Sequence, residues 1–101
     1  MAEFRIGGLA RSKAGHDKNE LYVITSQDET YVYLSDGRCH PLEKPKRKNR
    51  KHLSPETWYD ESLAMKLTQA GGARNEEIRA LIRSRKQQEG NVRSEEHTSE
   101  L

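Results

Sequence analysis

Two short stretches, residues 20–25 (ELYVIT) and 30–35 (TYVYLS), crowd Tyr, Val, Ile and Thr into a few positions. Those side chains suit a pleated, half-buried surface, so both stretches read as strands. In the second, Val32 and Leu34 point to one face while Tyr31 and Tyr33 point to the other. The polar SQDE between them reads as a hairpin loop. SDGR after them reads as a turn in which Gly37 accepts a positive φ. Residues 6–12 form an earlier strand, and 38–44 (RCHPLEK) a fourth, with Leu42 facing inward. A mainly β fold of four or five short strands with tight turns leaves two open edges unless the sheet closes. A small closed β-barrel is therefore expected.

From residue 57 the period changes. DESLAMKLTQA places Leu63 and Leu67 at i,i+4, with Asp60 and Glu61 in a first turn where the helix dipole favours acids. Gly71 and Gly72 are expected to end that helix. Asn75 is expected to cap a second helix, EEIRALIRSRKQQ, whose Ile78, Leu81 and Ile82 form a narrow apolar stripe. Arg79, Arg83 and Lys86 line an adjacent stripe at i, i+4, i+7. A solvated amphipathic face explains that stripe, and a second basic surface is the alternative. Trp58 and Tyr59 are expected to pin the helical segment to the barrel. The predicted organisation is thus a barrel over residues 1–56 and a short α-helical extension over 57–92. The last nine residues, 93–101 (RSEEHTSEL), have no apolar period. They read as the in-frame translation of a common sequencing adapter, a foreign segment set aside from the fold.

Composition narrows the picture. The chain has 101 residues, 32% hydrophobic and 34% charged, which allows one domain with a small core. No run of about 18 apolar residues occurs, so no membrane span is expected. The start, MAEFRIGGLA, has no basic segment followed by an apolar one, so no secretory signal is read there. Cys39 is the single cysteine, which fits a reducing, cytoplasmic setting.

Charge is unevenly placed. Residues 1–52 hold 11 Lys/Arg against 7 Asp/Glu, whereas residues 53–92 hold six of each. The densest run, KPKRKNRK (44–51), puts six cations into eight residues, and no acid follows before Glu56. Such a run repels itself and calls for a polyanion opposite. Lysines that guard an edge strand are the bland account of the same pattern. A second cationic element is the loop holding Lys13, Gly15, His16, Asp17 and Lys18. Short loops of this kind turn backbone N–H groups and lysines toward phosphate oxygens.

Other chemistry is thin. Cys39, His16, His40 and His52 lack the paired spacing of a structural zinc site, so neither metal nor cofactor is expected. Asp36 and His40 make no catalytic pair, and no nucleophile–base set or phosphate-cradling glycine loop is visible. No enzyme and no small-molecule substrate are expected. Tyr22, Tyr31 and Tyr33 offer stacking surfaces, but strand tyrosines more often pack a barrel with the hydroxyl in water.

Three segments carry a resemblance: 6–25 (IGGLARSKAGHDKNELYVIT), 31–53 (YVYLSDGRCHPLEKPKRKNRKHL) and 75–82 (NEEIRALI). With them the chain resembles the KOW-motif RNA-binding proteins, above all the short bacterial KOW-domain proteins described as RNA-binding or ribosomal-like. Gly7 matches that family's glycine before the first strand, and Gly15, Asp17 and Lys18 match its loop. Asn19 stands where the family has a second glycine; asparagine tolerates left-handed backbone better than most residues. The resemblance implies an SH3-like β-barrel whose KOW loop and neighbouring strands contact RNA, with ribosomal RNA and ribosome proteins as partners. It implies an RNA-binding set of Lys13, Gly15, His16, Asp17, Lys18, Lys44, Lys46, Arg47, Lys48, Arg50 and Lys51 along one edge. Binding would be electrostatic, on the backbone, with modest sequence preference. The alternative is a protein-interaction SH3-like barrel that docks an acidic peptide through the same strip as an assembly adaptor.

Overall fold

Leu21, Tyr22, Val23 and Ile24 are consecutive and all buried, so the strand that carries them has apolar cover on both faces. The rest of the fold supplies that cover. In the computed structural model, which describes residues 3–69 and 72–100 and side chains through 88, five strands form one antiparallel sheet. They are β1 (Gly8–Ser12), β2 (Leu21–Gln27), β3 (Tyr31–Ser35), β4 (Lys46–Asn49) and β5 (Leu53–Tyr59). Their order is β4-β3-β2-β1-β5, and a 3-10 turn (Arg50–His52) joins the two edge strands. Helices α1 (Glu61–Thr68) and α2 (Asn75–Glu100) follow. Among the described residues no helix is long and apolar enough to cross a membrane.

Two apolar clusters sit on opposite sides of the central strands. Leu9, Leu21 and Val23 pack with Leu63 of α1 and with Ile78 and Ile82 of α2. Trp58 and Leu42 are half-buried against the same cluster, so Trp58 does hold the helices to the sheet and Leu42 does face inward. Ala10, Tyr22, Ile24, Val32, Leu34 and Leu53 form the second cluster, with Phe4 at its margin. Leu53 from β5 meets residues of β3 there, so the sheet bends around this side. Val32 and Leu34 are fully buried and Tyr31 and Tyr33 half-exposed, as the alternation requires.

Four expectations need correction. The sheet is not closed: β4 and β5 lie at opposite ends of the strand order. The fourth strand is not 38–44 but the basic run itself, paired to β3 through Val32↔Lys48 and Leu34↔Lys46. The reason is local. The 36–40 segment closes on itself, with Asp36 Oδ1 accepting from the backbone N–H of Arg38 (2.8 Å) and His40 (2.9 Å). The Ser35 hydroxyl donates to the His40 carbonyl (2.8 Å), and Lys44 N–H donates to the Pro41 carbonyl (2.9 Å). Backbone groups already satisfied in a turn are not offered to a ladder. Asn75 does not cap α2. It is the helix's first residue; its Oδ1 accepts from Leu42 N–H (2.7 Å) and its Nδ2 donates to Glu43 (2.7 Å). Finally, β5 carries the sheet to Tyr59, past the boundary expected at residue 56.

Both helices begin close to where their acids predicted. Asp60 caps α1, accepting from Ser62 N–H (2.9 Å) and Leu63 N–H (3.3 Å). The α2 backbone continues past residue 88, the predicted end, to Glu100. Gly71, Leu101 and the side chains of the 93–100 segment lie outside the described residues.

The shared cluster makes α2 part of the core. Ile78→Ala should lower unfolding free energy by about 3 kcal/mol, in a single transition followed by urea denaturation. A sheet transition that stays put while helicity is lost earlier would contradict that packing.

Candidate nucleic-acid interface

The loop between β1 and β2 is fixed at both ends before any side chain acts. Asn19 N–H donates to the Ser12 carbonyl (2.8 Å), and Ser12 N–H to the Glu20 carbonyl (2.9 Å). Gly15 sits at φ 89° and Asn19 at φ 74°, left-handed backbone that lets the chain turn back within a few residues. Asn19 therefore does what a second glycine would do. Lys13 N–H donates to the His52 carbonyl (2.8 Å), tying the loop to the 3-10 turn at the start of β5.

At the centre lies the Asp17 carboxylate, whose side chain is 12% exposed. Four donors meet it. Oδ1 accepts from Lys48 Nζ (2.7 Å) and the Ser12 hydroxyl (2.9 Å). Oδ2 accepts from Lys46 Nζ (2.8 Å) and the Tyr22 hydroxyl (2.9 Å). Lys48 Nζ also donates to the Ala14 carbonyl (2.9 Å). Burial alone would raise the Asp17 carboxyl pKa. The hydrogen bonds from Lys46, Lys48, Tyr22 and Ser12 outweigh it and hold the group far below the usual carboxylate range. The Tyr22 phenol is pushed far above its usual range, by burial first and then by the hydrogen bond to Asp17. Its hydroxyl is thus bound to the loop rather than turned to water.

Strand alternation decides which members of the basic run do this. Lys46 and Lys48 lie on one face of β4 and reach Asp17, while Arg47 points the other way. The Arg47 guanidinium lies 4.5 Å from the Tyr31 ring centroid, exposed on its outer side. Arg50 braces the β2–β3 hairpin: its guanidinium donates to Gln27 Oε1 (2.6 Å) and to the Asp28 carbonyl, and it lies 5.4 Å from the Phe4 ring. Lys46, Lys48 and Arg50 are therefore turned onto the protein's own acceptors, whereas the basic run was expected to line an outward RNA-facing edge.

Lys13, His16, Lys18, Lys44 and Lys51 are exposed, and no side-chain partner holds them among the described residues. The backbone bond between Lys13 and His52 brings Lys13 beside Lys51. Lys13, His16 and Lys18 share the loop that Lys48 grips. The structure thus arranges these cations in two layers, an inner pair on Asp17, which balances one of their two charges, and an outer set in water on the loop and the 3-10 turn tied to it.

Several contacts were not foreseen. Tyr22 and Ser12 as donors to Asp17 left one trace in the sequence, an acid in the loop facing a Lys-x-Lys run of strand period. Tyr59 carries the Arg5 guanidinium 3.6 Å from its ring centroid instead of pinning the helices. Among the candidate metal ligands, Cys39, His16 and His52 are exposed, and His40 packs edge-on to Tyr22 with centroids 6.1 Å apart. Among the described residues no group of three or more His, Cys, Asp or Glu is arranged to hold a metal ion.

Removing the Asp17 charge should be costly at neutral pH. Asp17→Asn leaves two partly enclosed lysines without a counter-charge and should destabilise by about 3 kcal/mol. Because the folded carboxyl titrates below its unfolded value of about 3.9, its contribution is present above about pH 4 and fades as pH falls toward the folded value. Urea melts at about pH 7 and about pH 3 should therefore show the gap between wild type and variant narrowing in acid; an equal gap at both would exclude this role. No protein-family model matches the chain, and a comparison with curated proteins returns no match, so the chemistry of this flank rests on its own geometry.

Proposed function

We propose that this protein binds structured RNA, in the first instance ribosomal RNA, by docking its cationic flank on the sugar–phosphate backbone. The observation that carries the reading is the two-layer arrangement of charge. Asp17 neutralises only one of the two inner lysines, and it holds β4 against the 13–19 loop. The outer cations Lys13, Lys18 and Lys51 then face solvent on the loop and the 3-10 turn tied to it, with His16 among them; Lys44 and Arg47 are exposed as well, Arg47 on the opposite face of β4. Exposed cations whose spacing is set by backbone contacts displace condensed counterions from phosphates, which supplies affinity and makes it steeply salt-dependent. Contacts of this kind position a protein on RNA without reading bases.

Fold details support an SH3-like barrel of the KOW type, open between its edge strands. The strand order β4-β3-β2-β1-β5 and the 3-10 turn linking β4 to β5 suit that architecture. So does a first loop with Gly15, Asp17, Lys18 and a left-handed Asn19. In this reading Gly15 and Asn19 shape the loop, Asp17, Lys46 and Lys48 position it, and Arg50 braces the neighbouring hairpin. Phosphate contact falls to the outer set. A reducing, cytoplasmic setting suits the exposed Cys39.

Filter binding to fragmented ribosomal RNA over a salt series tests this. Replacing Lys13, Lys18 and Lys51 together with Ala should shallow the log–log slope by about 2–3 units while leaving the urea midpoint unchanged. An unchanged slope sinks the proposal. Polyglutamate that competes as well as RNA of equal charge would instead favour docking of an acidic protein segment.

A further inference from the structure

A cleft of about 520 Å³ opens between α2 and the turn that follows β3. Its charged lining is Arg38, Arg79, Arg83 and Lys86, against Glu20 and Asp36. Leu21 and Ile82, both buried, close its floor. Cations outnumber carboxylates four to two, and one of those carboxylates is engaged. Asp36 Oδ1 is turned into its own loop by the N–H groups of Arg38 and His40. Arg38, Arg83 and Lys86 are exposed, with no side-chain partner among the described residues.

The cleft is built rather than incidental. Arg79 Nη1 donates to the Gly37 carbonyl (2.7 Å), joining helix to turn. Gly37 sits at φ 74°, and a Cβ there would meet the Asn75 carbonyl oxygen at 2.5 Å, so the turn lies directly on the start of α2. Asn75 in turn holds Leu42 and Glu43. The cleft adjoins the 13–19 loop at Glu20, on its rim, which donates its N–H to the Asp17 carbonyl (2.9 Å).

We propose that this cleft is a second backbone-phosphate site for the same RNA, which runs from the 13–19 loop past Glu20 onto α2. The inference rests on the RNA-binding reading above and extends its footprint. Arg79, Arg83 and Lys86 recur at i, i+4 and i+7, so their row extends roughly 10 Å along the helix axis. That is longer than one phosphate group and suits successive phosphates of a chain. Apolar floor and cationic wall together accept a ribose–phosphate strand edge-on, with guanidinium groups on the phosphates.

Two readouts on the full-length protein test it, with fragmented ribosomal RNA as the probe. Arg83→Gln combined with Lys86→Gln removes two exposed charges and should shallow the salt slope by about 1–2 units with an unchanged urea midpoint. Cys39, the single cysteine, is exposed and lines the cleft, so saturating RNA should slow its alkylation by iodoacetamide in the unmodified protein. Inorganic phosphate at matched concentration should leave that rate unchanged. An unaltered slope, an unprotected Cys39, or equal protection by inorganic phosphate each overturns the second site. If the slope also stays unaltered in the Lys13/Lys18/Lys51 variant, the RNA reading itself fails. If only the Arg83/Lys86 slope is unaltered, the cleft alone is excluded.

Discussion

Two ammonium groups do not approach one another in a partly enclosed site unless negative charge lies between them, and here that charge is the Asp17 carboxylate. Its two oxygens take two donors each, so the lysines and the hydroxyls of Ser12 and Tyr22 are all satisfied by one group. Four chain segments meet at this point: the 13–19 loop, β1 through Ser12, the central strand β2 through Tyr22, and the edge strand β4. A strand of composition KRKN has no apolar residue to hold it to a sheet. It stays because β3 offers a ladder and Asp17 offers a counter-charge.

The same economy governs the core. With little apolar material, the chain covers both faces of one central strand instead of filling a large interior. On one side the bent sheet covers Tyr22 and Ile24; on the other, α1 and α2 cover Leu21 and Val23. Site and core are then not separate regions. Tyr22 belongs to the second cluster, with Ile24, Val32 and Leu34, through its ring and to the loop through its hydroxyl. Placing α2 over Leu21 and Val23 also sets its cationic stripe beside the 36–40 turn, which is what opens the cleft.

The sequence was most legible where packing and local propensity agree. β2 and β3 fall where β-branched and aromatic residues cluster, and Val32 and Leu34 alternate with Tyr31 and Tyr33 as a half-buried strand must. Ile78 and Ile82 mark the buried stripe of α2. Legibility failed where a polar contact from another part of the chain overrides a local preference. Residues 38–44 have strand-like members, but Ser35 and Asp36 draw the 36–40 backbone into a turn. Asn75 has the chemistry of a helix cap, yet the Leu42 backbone and Glu43 claim its side chain. No apolar period announces β4, because an edge strand held by ion pairs does not need one. Of the candidate site, the crowding of cations in 44–51 could be read from the sequence. The division into inner and outer cations could not, because it depends on which face of β4 meets Asp17.

That division changes how substitutions on this flank are to be read. Lys46 and Lys48 lie in the middle of the densest basic run and are the natural first targets for charge removal. Yet taking away either one leaves the Asp17 carboxylate, 12% exposed, short of a partner. The resulting loss appears as unfolding, or as loosening of the 13–19 loop. On the proposed reading, weakened RNA binding in such a variant would report the loop's position and not a phosphate contact. The outer lysines carry no such structural debt, since each stands in water with its stem on the surface. Salt dependence separates the two cases physically. A lost phosphate contact lowers the number of counterions released, whereas a lost anchor lowers affinity through the fraction of molecules with the loop in place, at an unchanged slope.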